Sequence, residues 1–196
     1  MKTRTAAAAA LLLAVVVVVT GCTSDDKPAP TGTAEPTRTQ ASTRPPQTTL
    51  TLSPKEQNIE DAKTAYKHYR GLYDEVAQGG YHDWDAKLRT LTVGDHRADL
   101  IGYARAAEAA GAHQVGTVKV VSMTATEYVD SGTGSGHERV TFEVCEDDTG
   151  RQVIMPDGTD DLIPGTTGRF VATTTMAHAG DAWIVANYHK DRGRPC

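Results

Sequence analysis

Near Gln114 the apolar residues of this 196-residue chain change their period, from helical spacing before it to alternation after it. Side chains three and four apart share a helix face and side chains two apart share a strand face, so the two halves cannot be the same kind of structure. Before the change, Ile59, Ala62, Tyr66, Tyr69, Tyr73 and Val76 form one continuous stripe. After it, Val121, Met123 and Ala125 alternate with Ser122, Thr124 and Thr126, and Val140, Phe142 and Val144 alternate with Thr141, Glu143 and Cys145. Helices followed by strands on short turns predict an α+β domain, with three N-terminal helices packed on a curved antiparallel sheet.

The helix boundaries follow from local chemistry. Ser53-Pro54-Lys55-Glu56 is a capping box with proline at the first helical position, where its missing N–H costs nothing. Helix 1 runs from there to Gly79-Gly80, and its other face, Lys55, Glu60, Lys67, Arg70, Asp74 and Glu75, is expected in solvent. A short second helix is expected from Trp84 to Leu91, capped by Asp83, with Trp84, Leu88 and Leu91 inward. A third starts at Gly94-Asp95, turns Leu100, Ile101, Ala104 and Ala107 inward and Arg105 and Glu108 outward, and stops at Gly111.

The strands are read in the same way. Val115 to Val129 is expected as one long strand, and Ser131 to Gly136 as a hairpin loop. The next strand buries Val140, Phe142 and Val144 and turns Cys145 to the opposite face. Asp148-Thr149-Gly150 predicts a turn, Gln152 to Met155 a short edge piece ended by Pro156-Asp157-Gly158, and an acidic loop runs on to Pro164. Phe170 to Met176 and Trp183 to Tyr188 form a closing hairpin through Gly180-Asp181, with Asn187 and His189 on the face of Trp183 and Val185.

Ahead of the domain, Lys2 and Arg4 precede an apolar run that ends in Val19-Thr20-Gly21-Cys22. This is the plan of a secretory signal peptide, and Ala6 to Val19, about 14 residues, falls short of the roughly 20 that a membrane span needs. The cysteine after the small residues resembles a bacterial lipobox. That resemblance implies a lipid on Cys22, which becomes the mature N-terminus, and a chain held on the extracytoplasmic face of the cell membrane. The expected division is therefore a signal peptide over 1–21, a Thr/Pro-rich flexible linker over 22–52 and a folded domain over 53–196. Thr23 to Thr51 carries one large apolar residue, Leu50, and at about 6 Å times the square root of its length it holds the domain roughly 30 Å from the bilayer.

Loss of Lys2 and Arg4 with the leader takes the formal charge from −5 to −7, which disfavours nucleic acid and anionic lipid as main partners. With Cys22 acylated, Cys145 and Cys196 remain as an even pair in an oxidising compartment, and a disulfide between them is expected.

Ala65-Tyr66 in a long first helix, Val144-Cys145-Glu146-Asp147 on a central strand, the Gly180-Asp181-Ala182-Trp183-Ile184-Val185 hairpin and the terminal Cys196 together resemble the NTF2-like (cystatin-like α+β) superfamily. Over Ser53 to Cys196 the combination looks like exported lipoproteins of high-GC Gram-positive bacteria. The resemblance implies a cone-shaped pocket between the first helix and the sheet, lined by Tyr66, Tyr69, Tyr73, Trp84, Phe142 and Trp183. It also implies that a cavity Asp or His would be the general base of an enzyme on this fold. His82, Asp83, Asp85, Asn187 and His189 are the residues that would supply one, but none belongs to a recognisable constellation.

Other chemistry finds no support in the sequence. The seven histidines are scattered, the loop Asp157-Gly158-Thr159-Asp160-Asp161 lacks the alternating oxygens of a calcium loop, and neither metal nor other cofactor is expected. Gly132, Gly134 and Gly136 are spaced like half of a nucleotide motif but precede no helix. These features point to a lipid-anchored, non-enzymatic domain that binds a cell-envelope protein or an apolar small ligand. The alternatives are a small NTF2-like enzyme acting on a hydrophobic substrate, and a phage- or plasmid-borne surface-exclusion lipoprotein.

Overall fold

A computed structural model describes residues 52–132, 137–162 and 167–196. The leader, Cys22, the linker through Thr51, Gly134 and Gly136 of the hairpin loop, and Pro164 lie outside the described residues. Helix α1 spans Pro54–Gln78, α2 Trp84–Leu88 and α3 Gly94–Ala110. Strands β1 (His113–Val115), β2 (Lys119–Val129), β3 (Arg139–Asp147), β4 (Gln152–Ile154), β5 (Arg169–Ala179) and β6 (Ala182–Asp191) follow. The class is α+β, and every paired strand is antiparallel to its neighbour.

The first helix starts as its sequence requires. Ser53 Oγ accepts from the Glu56 amide at 3.3 Å, and Glu56 Oε2 accepts from the Ser53 amide at 2.7 Å. Ala62, Tyr66, Tyr69 and Val76 are buried along the predicted stripe. The second helix is shorter than expected, giving way to a 3₁₀ turn over Arg89–Leu91. Asp83 is not its side-chain cap, because its backbone is left-handed (φ 60°) and its carboxylate meets no free N–H of the helix.

Among the described residues two sheets lie after α3. The larger has the order β2-β3-β5-β6, and the smaller pairs β1 with β4. The single strand expected over Val115 to Val129 is broken at Gly116, whose φ of 76° takes the chain out of the ladder. A Cβ there would stand 2.0 Å from the Gly150 carbonyl oxygen, so only glycine lets the chain pass the turn between β3 and β4.

Bulges then change which residues face inward. Val120 pairs with Glu146 and Ser122 with Cys145, leaving Val121 as an extra residue. Val121, expected inside, is 46% exposed, while Met123 and Ala125 keep the inner face. On β6, Met176 pairs with Val185 and Thr175 with Asn187, so Ala186 is the extra residue. Past it Asn187 and His189 are exposed, and Tyr188 and Lys190 take the inner side, reversing the expected alternation.

The core lies between the helices and the larger sheet, with α1 and α3 both packed on β6. Val140, Phe142 and Val144 of β3 are fully buried against it. Cys145, on the opposite face, forms the disulfide with Cys196, their Cα atoms 5.8 Å apart. The tail that carries Cys196 is also tied by its backbone, as the Val171 amide donates to the Arg194 carbonyl at 2.8 Å.

Candidate functional site

Arg70 follows Tyr66 by four residues and precedes Asp74 by four, so all three belong to one strip of α1. Their charge places Arg70 and Asp74 in solvent in a reading of the sequence, but they are 7% and 5% exposed. The reason is that each has a partner on the sheet side. Asp74 accepts from Gln114 Nε2 at 2.8 Å and from the Val118 amide at 3.0 Å, tying α1 to the connection between β1 and β2. Arg70 meets Glu146, which continues the inward alternation of Val140, Phe142 and Val144 on β3 and is fully buried.

Glu146 is the centre of a buried cluster. Tyr66 Oη donates to its Oε1 at 2.7 Å, Tyr188 Oη donates to its Oε2 at 2.8 Å, and Arg70 Nε lies 3.4 Å from Oε1. Burial opposes the Arg70 charge, but Glu146 and then Tyr66 outweigh it and hold the guanidinium above its ordinary value. Burial, with the Glu146 charge next, pushes the Tyr66 and Tyr188 phenols well up, so both are hydroxyl donors at any physiological pH.

Above this floor opens a cavity of about 290 Å³. One wall is α1, with Tyr69, Arg70 and Tyr73, and the other is α3, with His96, Asp99, Leu100 and Tyr103. Val118 and Arg151 close one side, and Glu146 with Tyr188, Lys190 and Arg192 of the last strand and its extension close the other. A neighbouring recess shares Tyr73, Tyr103, Arg151 and Arg192 and continues to Val153, Asp161 and Leu162.

The wall groups hold one another. Tyr69 Oη and His96 Nε2 are 2.9 Å apart, and burial lowers the His96 pKa to about 4, so its imidazole is neutral at pH 7. Arg151 Nε donates to Gln114 Oε1 at 2.9 Å, and Gln114 is in turn bound to Asp74. Lys190 Nζ lies 2.5 Å from Asp148 Oδ2 and Arg192 Nη2 lies 3.7 Å from the same oxygen, with Asp148 fully buried. Burial pushes the Lys190 pKa down against the pull of Asp148.

Of the residues expected around a pocket, Tyr69 and Tyr73 line this cavity and Tyr66 lies beneath it, bonded to Glu146. Trp84, Phe142 and Trp183 belong to the core and do not line it. Trp84 lies under the Arg105 guanidinium, 5.4 Å from its ring centre, and Trp183 stacks on His178 at the hairpin end of β6. Phe142 is fully covered. The general-base residues are elsewhere too. His82 is exposed and paired with Glu108, Asp85 is paired with Arg89, Asp83 is exposed, and Asn187 and His189 face outward.

The groups of this candidate site that spacing and composition did not single out are Arg70, Glu146, His96, Arg151, Tyr188, Lys190 and Arg192. Two of them were within reach of spacing alone: Arg70 at four residues from Tyr66, and Glu146 at two from Val144. Among the described residues no group of three or more His, Cys, Asp or Glu side chains is arranged to hold a metal ion. No protein-family model matches the chain, and no curated protein is significantly similar to it.

Proposed function

We propose that this chain is an NTF2-like lipoprotein whose folded domain binds a small molecule in the cavity between α1, α3 and the sheet, without transforming it. The observation that carries this reading is the cavity itself, about 290 Å³ with aromatic walls and a buried charged floor. Such a volume is at the lower end of small-ligand sites, and a few convergent polar groups in an aromatic wall are how such sites fix orientation. A core evolved only for packing would fill that space with side chains. The order of three helices, then an antiparallel sheet with α1 and α3 laid on its last strand, supports the NTF2-like cone.

The lipobox-like Val19-Thr20-Gly21-Cys22 supports a position for this domain at the cell membrane. Among the described residues no helix is long and apolar enough to cross a membrane. Replacement Cys22→Ser should release the protein from the membrane fraction, and continued retention would argue against lipid anchoring.

The binding reading is tested with a fragment library screened by ligand-observed NMR against the wild-type protein and Asp99→Trp. Asp99 is an exposed residue of the cavity wall, so an indole there obstructs the opening while leaving the core intact. Fragments that bind the wild type and are lost in the variant support the cavity as the site. Equal binding to both places the ligand elsewhere and overturns the reading.

A second reading, catalysis, draws on the hydrogen-bonded pair of His96 and Tyr69 at the cavity wall. Turnover of a bound fragment that disappears in His96→Gln, with binding kept, would favour it.

A further inference from the structure

Resting on the small-molecule reading above, we infer that the ligand is a small organic anion, a carboxylate or a phosphate monoester on a flat apolar body, rather than a wholly apolar molecule. Its charged group is received by Arg70, Arg151, Lys190 and Arg192, and its body lies against Tyr73 and Tyr103.

The charges around the cavity do not balance. Arg70, Arg151, Lys190 and Arg192 all line it, while the carboxylates that line it are Glu146 and Asp99. Asp148 stands behind Lys190 and Arg192 and is shared between them. Four cations thus line the cavity itself against two carboxylates, His96 is neutral, and Asp161 belongs to the adjoining recess that Arg151 and Arg192 also border. A chain with a formal charge of −5 has gathered a positive excess in one concave place.

The donors are also incompletely used. Both oxygens of Glu146 are occupied by tyrosine hydroxyls, at 2.7 and 2.8 Å. Arg70 Nε is ion-paired with Glu146 Oε1 at 3.4 Å but makes no hydrogen bond, the one buried side-chain polar atom among the described residues for which this holds. A buried donor without a hydrogen bond is unfavourable, and a shift of the guanidinium towards a ligand oxygen on binding would relieve it.

Positioning favours an oxyanion over a bare point charge. Arg151 is held through Gln114 to Asp74, so its planar guanidinium is fixed before any ligand arrives. Lys190 Nζ sits 3.6 Å over the Phe170 ring and Arg192 Cζ 5.7 Å from the same ring, which limits their freedom as well. Fixed guanidinium groups match the two oxygens of a carboxylate or phosphate. The aromatic wall then selects a flat body, as Tyr73 and Tyr103 border both this cavity and the adjoining recess.

Isothermal titration of the purified protein with benzoate and phenyl phosphate, each beside its neutral counterpart, benzamide and phenol, tests this. The anions are expected to bind at least ten-fold tighter than their counterparts. Arg151→Gln and Arg192→Gln should each cost the anions five-fold or more, a larger loss than for the neutral molecules, and reduce the salt dependence. The carboxylate and phosphate arms show which oxyanion is preferred. Neutral molecules binding as tightly as the anions, in competition with cavity-bound fragments, would overturn the anion assignment and leave the cavity as a ligand site. Anions that fail to bind while neutral fragments occupy the cavity would overturn it in the same way. Absence of any binding to the cavity would overturn both readings.

Discussion

Arg70 of α1 and Glu146 of β3 form an ion pair at 3.4 Å with side-chain exposures of 9% and 0%, on the floor of the cavity between the helices and the sheet. In a buried pair of this kind the attraction barely offsets desolvation, while either partner alone is left uncompensated. Removing one side by Arg70→Met or Glu146→Leu should destabilise the fold by about 3–5 kcal/mol. The double variant should lose less than the sum of the two single losses, although the Tyr66 and Tyr188 hydroxyls have no acceptor in it. Urea denaturation of the four proteins measures the coupling, and two single losses that simply add would show that the pair does not act as a unit.

His96 predicts a pH dependence with a definite sign. Its pKa is lowered to about 4 by burial, against an ordinary value of about 6.5 for the unfolded chain. The unfolded state therefore takes up a proton before the folded state does, and stability is lost as the pH falls from about 6.5 to 4. The loss reaches at most about 3 kcal/mol, and below pH 4 this residue adds no further slope. In His96→Gln the difference between pH 7 and pH 4.5 should shrink by most of that amount. An unchanged pH profile would mean that His96 is solvated in the folded state.

Gly116 is a point where backbone alone decides. With φ at 76° and the Gly150 oxygen 2.0 Å from the position of a Cβ, Gly116→Ala should cost at least about 2 kcal/mol in strain and displacement. The small β1–β4 sheet carries Gln114 and thus the support of Arg151, so weaker anion binding should accompany the loss. Thermal unfolding within a degree of the wild type would contradict this.

The disulfide between Cys145 and Cys196 closes a separation of 51 residues. In the chain-entropy description such a loop stabilises the fold by about 4 kcal/mol. Cys145→Ser should lower the unfolding free energy by a comparable amount and loosen the segment around Arg194, seen as faster amide exchange at Val171. Equal stability with and without the bond would show that the tail contributes nothing to the folded state.

Much of this architecture was legible because it depends on short-range rules. The capping box at Ser53, the tyrosine stripe, the inward alternation of β3 and the Cys145–Cys196 pairing all follow from spacing or composition. The site was only half legible, for two physical reasons. Charged residues are read as solvated unless their partners are known, and the partner of Arg70 lies on a strand far away in sequence. Strand parity is read as unbroken, and one extra residue at Ala186 moved Tyr188 and Lys190 to the cavity and Asn187 and His189 away from it. Val121 was misplaced by the same mechanism on β2.

Occupancy of the cavity over Arg70 and Glu146 is the central claim, and a titration of ¹³C-tyrosine-labelled protein with the fragments that bind it tests that directly. Tyr69, Tyr73, Tyr103 and Tyr188 touch the cavity, whereas Tyr128, on β2 and hydrogen-bonded to Asn58, does not. The predicted result is that the four cavity tyrosines shift together along one saturation curve while Tyr128 stays in place. Fragments that leave all four unmoved, or that move Tyr128 alone, would contradict the assignment of this cavity as the binding site.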